Sequence, residues 1–397
     1  MQALKGVTVV TLEHAIAAPF ATRQLADLGA RVIKVERPGT GDFARGYDQR
    51  VRGLASHFVW TNRSKESLTL DLKHPRAAEL LQRLIVEQAD VLVQNLAPGA
   101  AARLGLGFDA LKTRRPDLIV CDISGYGDDP QAPGPFRDKK AYDLLIQAES
   151  GFVSITGTPD QPCKAGPSIA DIAAGMYAYS NILAALMQRQ QDGRGRRIDL
   201  SMLEAMAEWM GYPLYYAFEG AAPPPRAGAA HATIYPYGPF PSGDGKTVML
   251  GLQNEREWQQ FCDQVLQQPD LAQDPRFAGN ARRVAARDEL RALIVQAFSG
   301  LTAAQVLQRL DAAQIANAEL RDVAGLWQHE QLAARGRWRQ VDTPAGPVPT
   351  LLPPGSWDDG DPRLDAVPAL GQHTDAILAE LGLDAAAVAA LRAEQAI

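Results

Sequence analysis

The chain has few cysteines, and they form none of the patterns that build a metal or disulfide site. Cys121, Cys163 and Cys262 are far apart, odd in number and without a C-x-x-C pair. This spacing gives no basis for a disulfide framework or a zinc knuckle. The six histidines also lack the spacing of metal ligands, so the sequence predicts no metal site.

Excess positive charge and long apolar runs are missing as well. The net charge of −6 leaves no basic footprint for nucleic acid, which we do not expect as a partner. No apolar run approaches the ~20 residues that span a bilayer, and no signal peptide precedes the first predicted strand. The sequence therefore predicts a cytoplasmic protein that does not bind membranes.

The first loop after a strand also contains no glycine. It reads HAIAAP over residues 14–19, whereas a dinucleotide-binding loop needs glycines for close approach of the pyrophosphate. Glu36 alone, at the place of a ribose-binding acid, does not restore that motif. There is no Walker A pattern, and residues 166–170 (GPSIA) are only a near-miss for a nucleophile elbow.

What the sequence does contain is an alternation of strands and helices over its first 220 residues. Predicted strands cover 7–12, 31–36, 91–93, 118–120 and 197–200, and predicted helices cover 20–28, 75–88, 142–153, 172–190 and 202–215. This order is typical of a parallel α/β sheet with right-handed crossovers.

A proline- and glycine-rich hinge at 221–228 then separates a second predicted domain. We expect a large domain over 1–220, a small domain over 221–330, and a return to the large domain over 331–397. The small domain should contain a strand at 247–252 and a helix at 255–266, and the chain should end in a helical tail.

One carboxylate stands out because its neighbours are small and apolar. Asp171 lies in the run SIADIAAGM, and burying an ionised aspartate is costly unless it is stabilised or reactive. Its simplest interpretation is the N-cap of the helix that follows. A helix start also presents backbone N–H groups that can hold an oxyanion, so the structural and the chemical interpretations are compatible.

Basic residues follow several predicted strands. Arg37, Lys73 and Arg103 come at or just beyond strand ends, and Lys140 precedes the helix that begins near residue 142. Open α/β sheets bind ligands at the carboxyl ends of their strands. Four cations on one side suit a ligand that carries several phosphates.

A set of short tracts, in this order and spacing, resembles the family III CoA-transferases, also called the CaiB–BaiF family. The resemblance covers nearly the whole chain, and its tracts are LKGVTVV (4–10), ARVIKVERPG (30–39), GD with Arg45 (41–45), LDLK (70–73), NLAPG (95–99), ISGYG (123–127), YD with QA (142–148), and Asp171 with GM (171–176).

The resemblance implies an α/β fold with a Rossmann-like large domain built from both chain ends, a smaller inserted α/β domain and an interlocked homodimer. It places Asp171 on the catalytic aspartate and Asp143 on an acidic position near the reaction centre. The positions that it assigns to coenzyme A are Ile16, Ala17, Arg37, Leu70, Asp71, Leu72, Lys73, Asn95, Leu96, Ala97, Arg103 and Lys140.

The implied reaction moves CoA from an acyl-CoA to a small carboxylic acid through mixed-anhydride and aspartyl-CoA intermediates on Asp171. Coenzyme A is then part of the substrate, and no tightly bound cofactor is expected. Three alternatives remain open: CoA transfer within one dicarboxylic acid such as mesaconyl-CoA, an α-methylacyl-CoA racemase, and a silent CoA-binding protein. Against the racemase, Tyr142 stands where its histidine would precede the aspartate.

The chain departs from the oxalate-handling members, which carry a glutamine in the first loop and a glycine-rich run in the small domain. Ile16 occupies the glutamine position, and the tract 231–240 reads HATIYPYGPF. We therefore expect a C4–C5 dicarboxylate, with succinyl-CoA as a candidate donor. Candidate substrate contacts are His14, Arg226, His231 and Tyr235.

Overall fold

The computed structural model describes residues 2–358 and 360–397, and their contacts divide the chain into two units. The small unit comprises Gly151–Lys164 and Gly211–Gln331, and the large unit comprises the rest. Sequence reasoning placed the boundaries at 220 and 330 and assigned 151–164 to the large domain. The structure differs because Arg226, beyond the hinge, donates hydrogen bonds to the carbonyls of Ser154, Thr158 and Pro159.

The described residues form the following strands: β1 Thr8–Leu12, β2 Arg31–Glu36, β3 Lys65–Thr69, β4 Val91–Gln94, β5 Ile119–Ser124, β6 Arg197–Ser201, β7 Tyr237–Pro241, β8 Thr247–Gly251, β9 Ala316–Glu319, β10 Trp338–Val341 and β11 Val348–Leu351.

They also form these α-helices: α1 Ala17–Asp27, α2 Ser56–Thr61, α3 Pro75–Gln88, α4 Ala100–Arg103, α5 Phe108–Arg114, α6 Asp143–Glu149, α7 Phe152–Ile155, α8 Ile169–Asp192, α9 Met202–Trp209, α10 Gly211–Tyr216, α11 Glu255–Gln260, α12 Asn280–Ala285, α13 Arg287–Phe298, α14 Ala303–Ala312, α15 Val323–Trp327, α16 Glu330–Ala334, α17 Thr374–Glu380 and α18 Ala385–Ala393.

The large unit is built on a parallel sheet of β1–β6, in the order β3-β2-β1-β4-β5-β6. The central strands β1, β2, β4 and β5 are rich in Val, Ile and Leu and are almost entirely buried, as parallel strands covered on both faces require. One buried cluster joins the sheet to α3 and to the C-terminal helices α17 and α18. The predicted α/β class is therefore found in the structure.

The other face of the sheet carries α1 and α8, which pack closely together. Gly175 permits this approach, because a Cβ there would lie 2.7 Å from the carbonyl oxygen of Ala17 and 2.9 Å from the Phe20 ring. Of the described helices, α8 is by itself long and apolar enough to cross a membrane. Its contacts with α1, α6, α9, β5 and β6 identify it instead as a core helix.

Two predicted elements differ in the structure. The helix expected over 142–153 is divided into α6 and α7 at Gly151, which adopts a positive φ of 80° that a helix cannot continue through. The small unit carries a three-stranded antiparallel sheet in the order β7-β8-β9, of which only β8 was predicted. The other two strands contain Pro, Gly and Ala, which are weak strand formers.

A network of buried charges joins the end of β1, the interior of β2 and the start of β3. The Lys34 ammonium is 2.7 Å from an Asp42 oxygen and 3.2 Å from a Glu13 oxygen. Lys65 is 2.6 Å from the same Glu13 carboxylate. All four side chains are inaccessible to solvent, so each charge depends on its partners.

A third pair extends this network along β2. Arg45 donates two hydrogen bonds of 2.8 Å to the Glu36 carboxylate, and Ser67 donates a third. Together, the carboxylates of Glu13, Glu36 and Asp42 face three basic groups, those of Lys34, Lys65 and Arg45. Burial lowers the pKa of Lys65 to about 7. Burial alone raises the pKa of Glu13, but the charges of Lys34 and Lys65 outweigh that effect and hold the pKa near about 2.

Lys34→Met should destabilise the protein strongly, because it leaves the carboxylates of Glu13 and Asp42 buried with one cation fewer. We expect a loss of roughly 3–5 kcal/mol in the free energy of unfolding, measured by denaturant titration. Lys5→Met, at an exposed position, is the matched control and should change this free energy by less than about 0.5 kcal/mol. A small effect of Lys34→Met would show that the network contributes little to stability.

Candidate active site

A cleft of about 390 Å³ opens at the carboxyl ends of β1–β4. Three cations line it, Arg37, Lys73 and Arg103, and they face the apolar side chains of Leu12, Leu70, Leu72, Leu96 and Leu104. His14 and Asp71 complete the part of the wall that sequence reasoning selected. Most of the predicted coenzyme A positions are thus brought together.

The topology explains why these residues meet. β2 and β3 extend from one side of β1 and β4 from the other, so the cleft lies where the strand order reverses. The 70–73 loop is held by the chain's far end, since the Asp71 N–H donates to the Ala396 carbonyl at 2.9 Å. The cleft therefore needs segments from both ends of the sequence.

The loop after β1 is held by polar contacts rather than by glycine. Asn95 accepts a hydrogen bond from the His14 N–H and donates one to the His14 carbonyl, each 2.9 Å long. Ala15 adopts a φ of 61°, and its N–H donates to Asp42. Asn95 thus acts on the cleft through the His14 backbone.

Other predicted positions lie outside the cleft wall. Ile16 and Ala17 are buried at the start of α1, where their side chains pack in the core. Ala97 accepts a hydrogen bond from the Ala100 N–H. Lys140 is exposed in the loop before α6 and does not line the cleft.

A larger cleft of about 630 Å³ lies beside β5 and β6. Its wall contains several aspartates, and the two arginines among them are already paired, Arg197 with Asp122 and Arg137 with Asp128. The lysine of this wall, Lys112, lies over the Phe108 ring. An acidic wall repels a polyphosphate, so this cleft is the poorer candidate for a CoA ester.

Asp171 lies in the first turn of α8, the third residue of the helix. The N-cap position belongs to Ser168, whose side chain makes no capping hydrogen bond, so the interpretation of Asp171 as the N-cap is wrong. Within residues 2–358 and 360–397, no hydrogen-bond donor reaches the Asp171 carboxylate. Its position next to the free N–H groups of a helix start remains as predicted.

Burial raises the pKa of Asp171 to about 7, and the negative charge of Asp143 adds to the rise. A helix start favours the charged form of a carboxylate, but here the effect of desolvation on the pKa prevails. Tyr47 lies within the electrostatic field of both Asp171 and Asp42. Burial raises the pKa of Tyr47 to about 12, and the charges of Asp42 and Asp171 both contribute.

Asp143 is the first residue of α6 and caps α8 from outside that helix. One of its oxygens accepts a hydrogen bond of 2.8 Å from the Ala170 N–H, next to Asp171. The other accepts 2.7 Å from the Gln147 amide. The two carboxylates therefore differ, because Asp143 is hydrogen-bonded and Asp171 is not.

The remaining candidates belong to the small unit. The Arg226 guanidinium is bonded to three carbonyls, as described above. The His231 Nδ1 accepts hydrogen bonds from the Thr233 and Ile234 N–H groups, so Nε2 carries the proton of the neutral ring. Tyr235 is buried, only 4 % exposed, beneath the Arg287 guanidinium.

Sequence reasoning missed several residues that shape the site. Gln147, Asp42 and Tyr47 lie in or beside matching tracts but were not selected, because no local pattern distinguishes them. Lys34 gave a usable signal, since a lysine inside the buried strand VIKV must have a carboxylate partner. In the described part of the chain, no cluster of three or more His, Cys, Asp or Glu side chains suits a metal ion.

The structure thus combines a parallel sheet, a basic cleft at its switch point and, at the start of α8, an aspartate whose pKa is raised by burial. These features suit an enzyme that transfers a group on a phosphate-bearing substrate. The model of CoA-transferase family III matches residues 4–374. The chain therefore belongs to CoA-transferase family III and is a CoA-transferase of acyl-CoA metabolism. Members of this family use CoA esters and carboxylic acids as substrates.

Individual relatives agree with this assignment. A succinate–glutarate CoA-transferase from Agrobacterium fabrum is 34% identical over 388 residues, which cover 95% of each chain. An acetyl-CoA:oxalate CoA-transferase from Acetobacter aceti is 35% identical, over 91% of this chain and 92% of that protein. The crystal structure of a CaiB/BaiF family protein from Brucella suis matches this chain with a TM-score of 0.82 and 34% sequence identity. The match covers 95% of this chain and 99% of that protein.

The raised pKa of Asp171 predicts the direction in which the stability of the fold changes with pH. The folded state holds this proton up to a pH of about 7, whereas the ordinary aspartate value is 3.8, so stability falls as pH rises through that window. Asp171→Asn removes this loss. Its midpoint of thermal unfolding at pH 8 should exceed that of the native protein by roughly 5 °C, with little difference at pH 4. Asp138→Asn, at an exposed loop position, is the control. Equal midpoints at pH 8 would contradict the burial argument.

Proposed function

We propose that this enzyme transfers CoA from an acyl-CoA donor to a free carboxylic acid, with Asp171 as the nucleophile. The observation that carries the proposal is the state of that side chain, a half-buried carboxylate at the start of α8 that no hydrogen-bond donor among the described residues reaches. With a pKa near 7, about half of the molecules carry the reactive carboxylate at neutral pH. A poorly solvated carboxylate is also a stronger nucleophile than a hydrated one.

The reaction proceeds by exchange at two carbonyl groups. Asp171 attacks the donor thioester, the CoA thiolate leaves, and a mixed anhydride forms. The thiolate then attacks the aspartyl carbonyl, which releases the donor acid and leaves an aspartyl-CoA thioester. The acceptor carboxylate reverses both steps. Each step breaks one acyl bond and forms another, so proton transfer and ATP are not needed.

The first turn of α8 supplies the electrostatic help that this chemistry needs. Each tetrahedral intermediate places a negative charge on an oxygen beside Asp171, close to the backbone N–H groups that a helix start leaves free. A well-placed donor contributes roughly 3–4 kcal/mol to the transition state. Asp143 occupies the N–H of Ala170, so the donors must come from its neighbours.

The charges of the cleft at β1–β4 support its assignment to the nucleotide end of the CoA ester. Arg37, Lys73 and Arg103 match its phosphates, and the leucines of the same wall match an apolar adenine face or pantetheine arm. Lys140, Asn95, Ile16, Ala17 and Ala97 are proposed as further contacts on the family resemblance.

The acids are proposed to be C4–C5 dicarboxylates, with succinyl-CoA as a donor. The name of the Agrobacterium fabrum relative supports this choice, while that of the Acetobacter aceti relative points to oxalate. Candidate contacts for the second carboxyl group are His14 and, in the small unit, Arg226, His231 and Tyr235. A screen of CoA donors against mono- and dicarboxylic acids, oxalate included, decides between these acids and also detects transfer within one acid.

The interlocked homodimer and the cytoplasmic location also stay proposals. Exposed apolar side chains such as Met187 on α8 and Trp209 on α9 support a dimer, since isolated domains seldom expose such groups together.

Asp171→Ala should abolish transfer, because it removes the nucleophile. We expect turnover to fall by at least about a thousandfold while the circular dichroism spectrum stays native. Incubating the native protein with a CoA donor alone should give a covalent aspartyl-CoA adduct on the peptide containing residue 171, seen by mass spectrometry. Normal turnover by Asp171→Ala would refute the proposal. Deuterium exchange into the donor without an acceptor would indicate a racemase instead.

Arg37→Ala and Arg103→Ala should weaken binding of the CoA ester and leave the chemical steps almost unchanged. One charge-assisted contact is worth roughly 1–3 kcal/mol, so KM for the donor should rise by about 5- to 150-fold with kcat nearly constant. Arg335→Ala, an exposed arginine outside the cleft, is the matched control. Unchanged KM values in both cleft variants would remove the CoA assignment from this cleft.

A further inference from the structure

Gln147 is a fully buried amide one turn along α6 from Asp143. Its Nε2 donates to an Asp143 oxygen at 2.7 Å, and its Oε1 accepts from the Ala165 N–H at 2.8 Å. Ala165 lies in the segment that leads into α8. The side chain therefore joins Asp143 to the approach of the helix that carries Asp171.

The Ala165 N–H determines which way this amide points. A backbone N–H can only donate, so the amide oxygen must face it and the NH₂ group must face Asp143. The reversed amide would place two donors against each other at Ala165 and two acceptors against each other at Asp143. The orientation of Gln147 is thus fixed by hydrogen-bond chemistry.

Asp143 is consequently an acceptor at both oxygens. The Ala170 N–H faces one oxygen and the Gln147 NH₂ faces the other, and a proton on either oxygen would meet a donor. Asp171, by contrast, accepts no hydrogen bond within the described residues. When two neighbouring carboxylates are placed in such unequal surroundings, the proton belongs to the one without donors.

We propose that Gln147 is a positioning residue for the transfer reaction: its amide holds Asp143 as an acceptor-only carboxylate against the first turn of α8 and so directs the proton of the acidic pair to Asp171. The proposal rests on the role of Asp171 as nucleophile. A carboxylate that holds its proton up to neutral pH is more basic, and hence more nucleophilic, once it ionises.

The other titratable groups near the pair do not provide this asymmetry. Tyr47 lies in the field of Asp171, and burial raises the pKa of this tyrosine to about 12, so it is neutral at the pH values of interest. On α6, Glu149 is exposed and paired with Lys139. On α9, which packs against α6, Glu204 and Glu208 are exposed.

The test is the pH dependence of transfer in Gln147→Glu. While protonated, the new side chain keeps both contacts, since its O–H donates to Asp143 and its carbonyl accepts from Ala165. When it ionises, two carboxylates face each other and the arrangement is lost. We expect kcat within threefold of the native value at pH 6.5 and a fall of at least tenfold by pH 8.5, where native kcat is at its plateau. KM for the donor should stay within twofold.

Gln147→Met, which has neither donor nor acceptor at that position, should lower kcat at least tenfold across the whole pH range with an unchanged donor KM. It provides the test if Gln147→Glu unfolds at pH 8.5, which circular dichroism reports. The control is Gln191→Glu, an exposed glutamine at the far end of α8, whose pH profile should be native.

Two results would overturn the proposal: a Gln147→Glu profile parallel to the native one in folded protein, or native kcat in Gln147→Met. Measuring Asp171→Ala in parallel distinguishes the assignment of Asp171 as the nucleophile from the role of Gln147. If Asp171→Ala is inactive and the Gln147 variants are native-like, only the role of Gln147 fails. If Asp171→Ala is active, both assignments fail.

Discussion

The buried charges beneath β1–β3 are the constraint on which the site depends. Glu13, Lys34 and Asp42 tie the end of β1 to the loop after β2, and Lys65 ties the start of β3 to Glu13. None of these groups has solvent to replace a missing partner, so the loops around the cleft are held in the one arrangement that pairs them. Rigid, short-range pairing of this kind replaces the glycine-rich loop that dinucleotide-binding folds use at the same place.

Asp143 and Asp171 show how one chemical group serves two purposes. Both are aspartates at the start of helices, and they differ in what surrounds them. Asp143 accepts hydrogen bonds from two donors, whereas burial and the charge of Asp143 oppose the ionisation of Asp171. Of these two carboxylates, the one that is harder to ionise is the one proposed to react. The free energy of packing between α1 and α8, which approach closely at Gly175, offsets the unfavourable burial of its charge.

Much of the large unit could be predicted because its signals are local. Short windows of sequence show the strands rich in Val and Ile, the helices that begin at a proline, and the position of Asp171 in an apolar run. The role of Asp143 as an external cap of α8 could not be predicted, since Asp143 and Ala170 meet only through the packing of α6 on α8. The same holds for residues 151–164, whose place in the small unit depends on the Arg226 guanidinium. Lys140 and Ala97 were selected by resemblance, and their surroundings in the fold do not distinguish them from other surface positions.

The bond between the Asp71 N–H and the Ala396 carbonyl has a consequence for biosynthesis. The loop that carries Lys73 is translated early, yet its backbone partner emerges from the ribosome only after the entire small unit has been made. The small unit, largely continuous in sequence, can thus reach its native state during translation. The six strands of the large sheet have also been made by then, but α17 and α18, which pack in the same core, have not, so nascent chains should depend on chaperones to protect that apolar face.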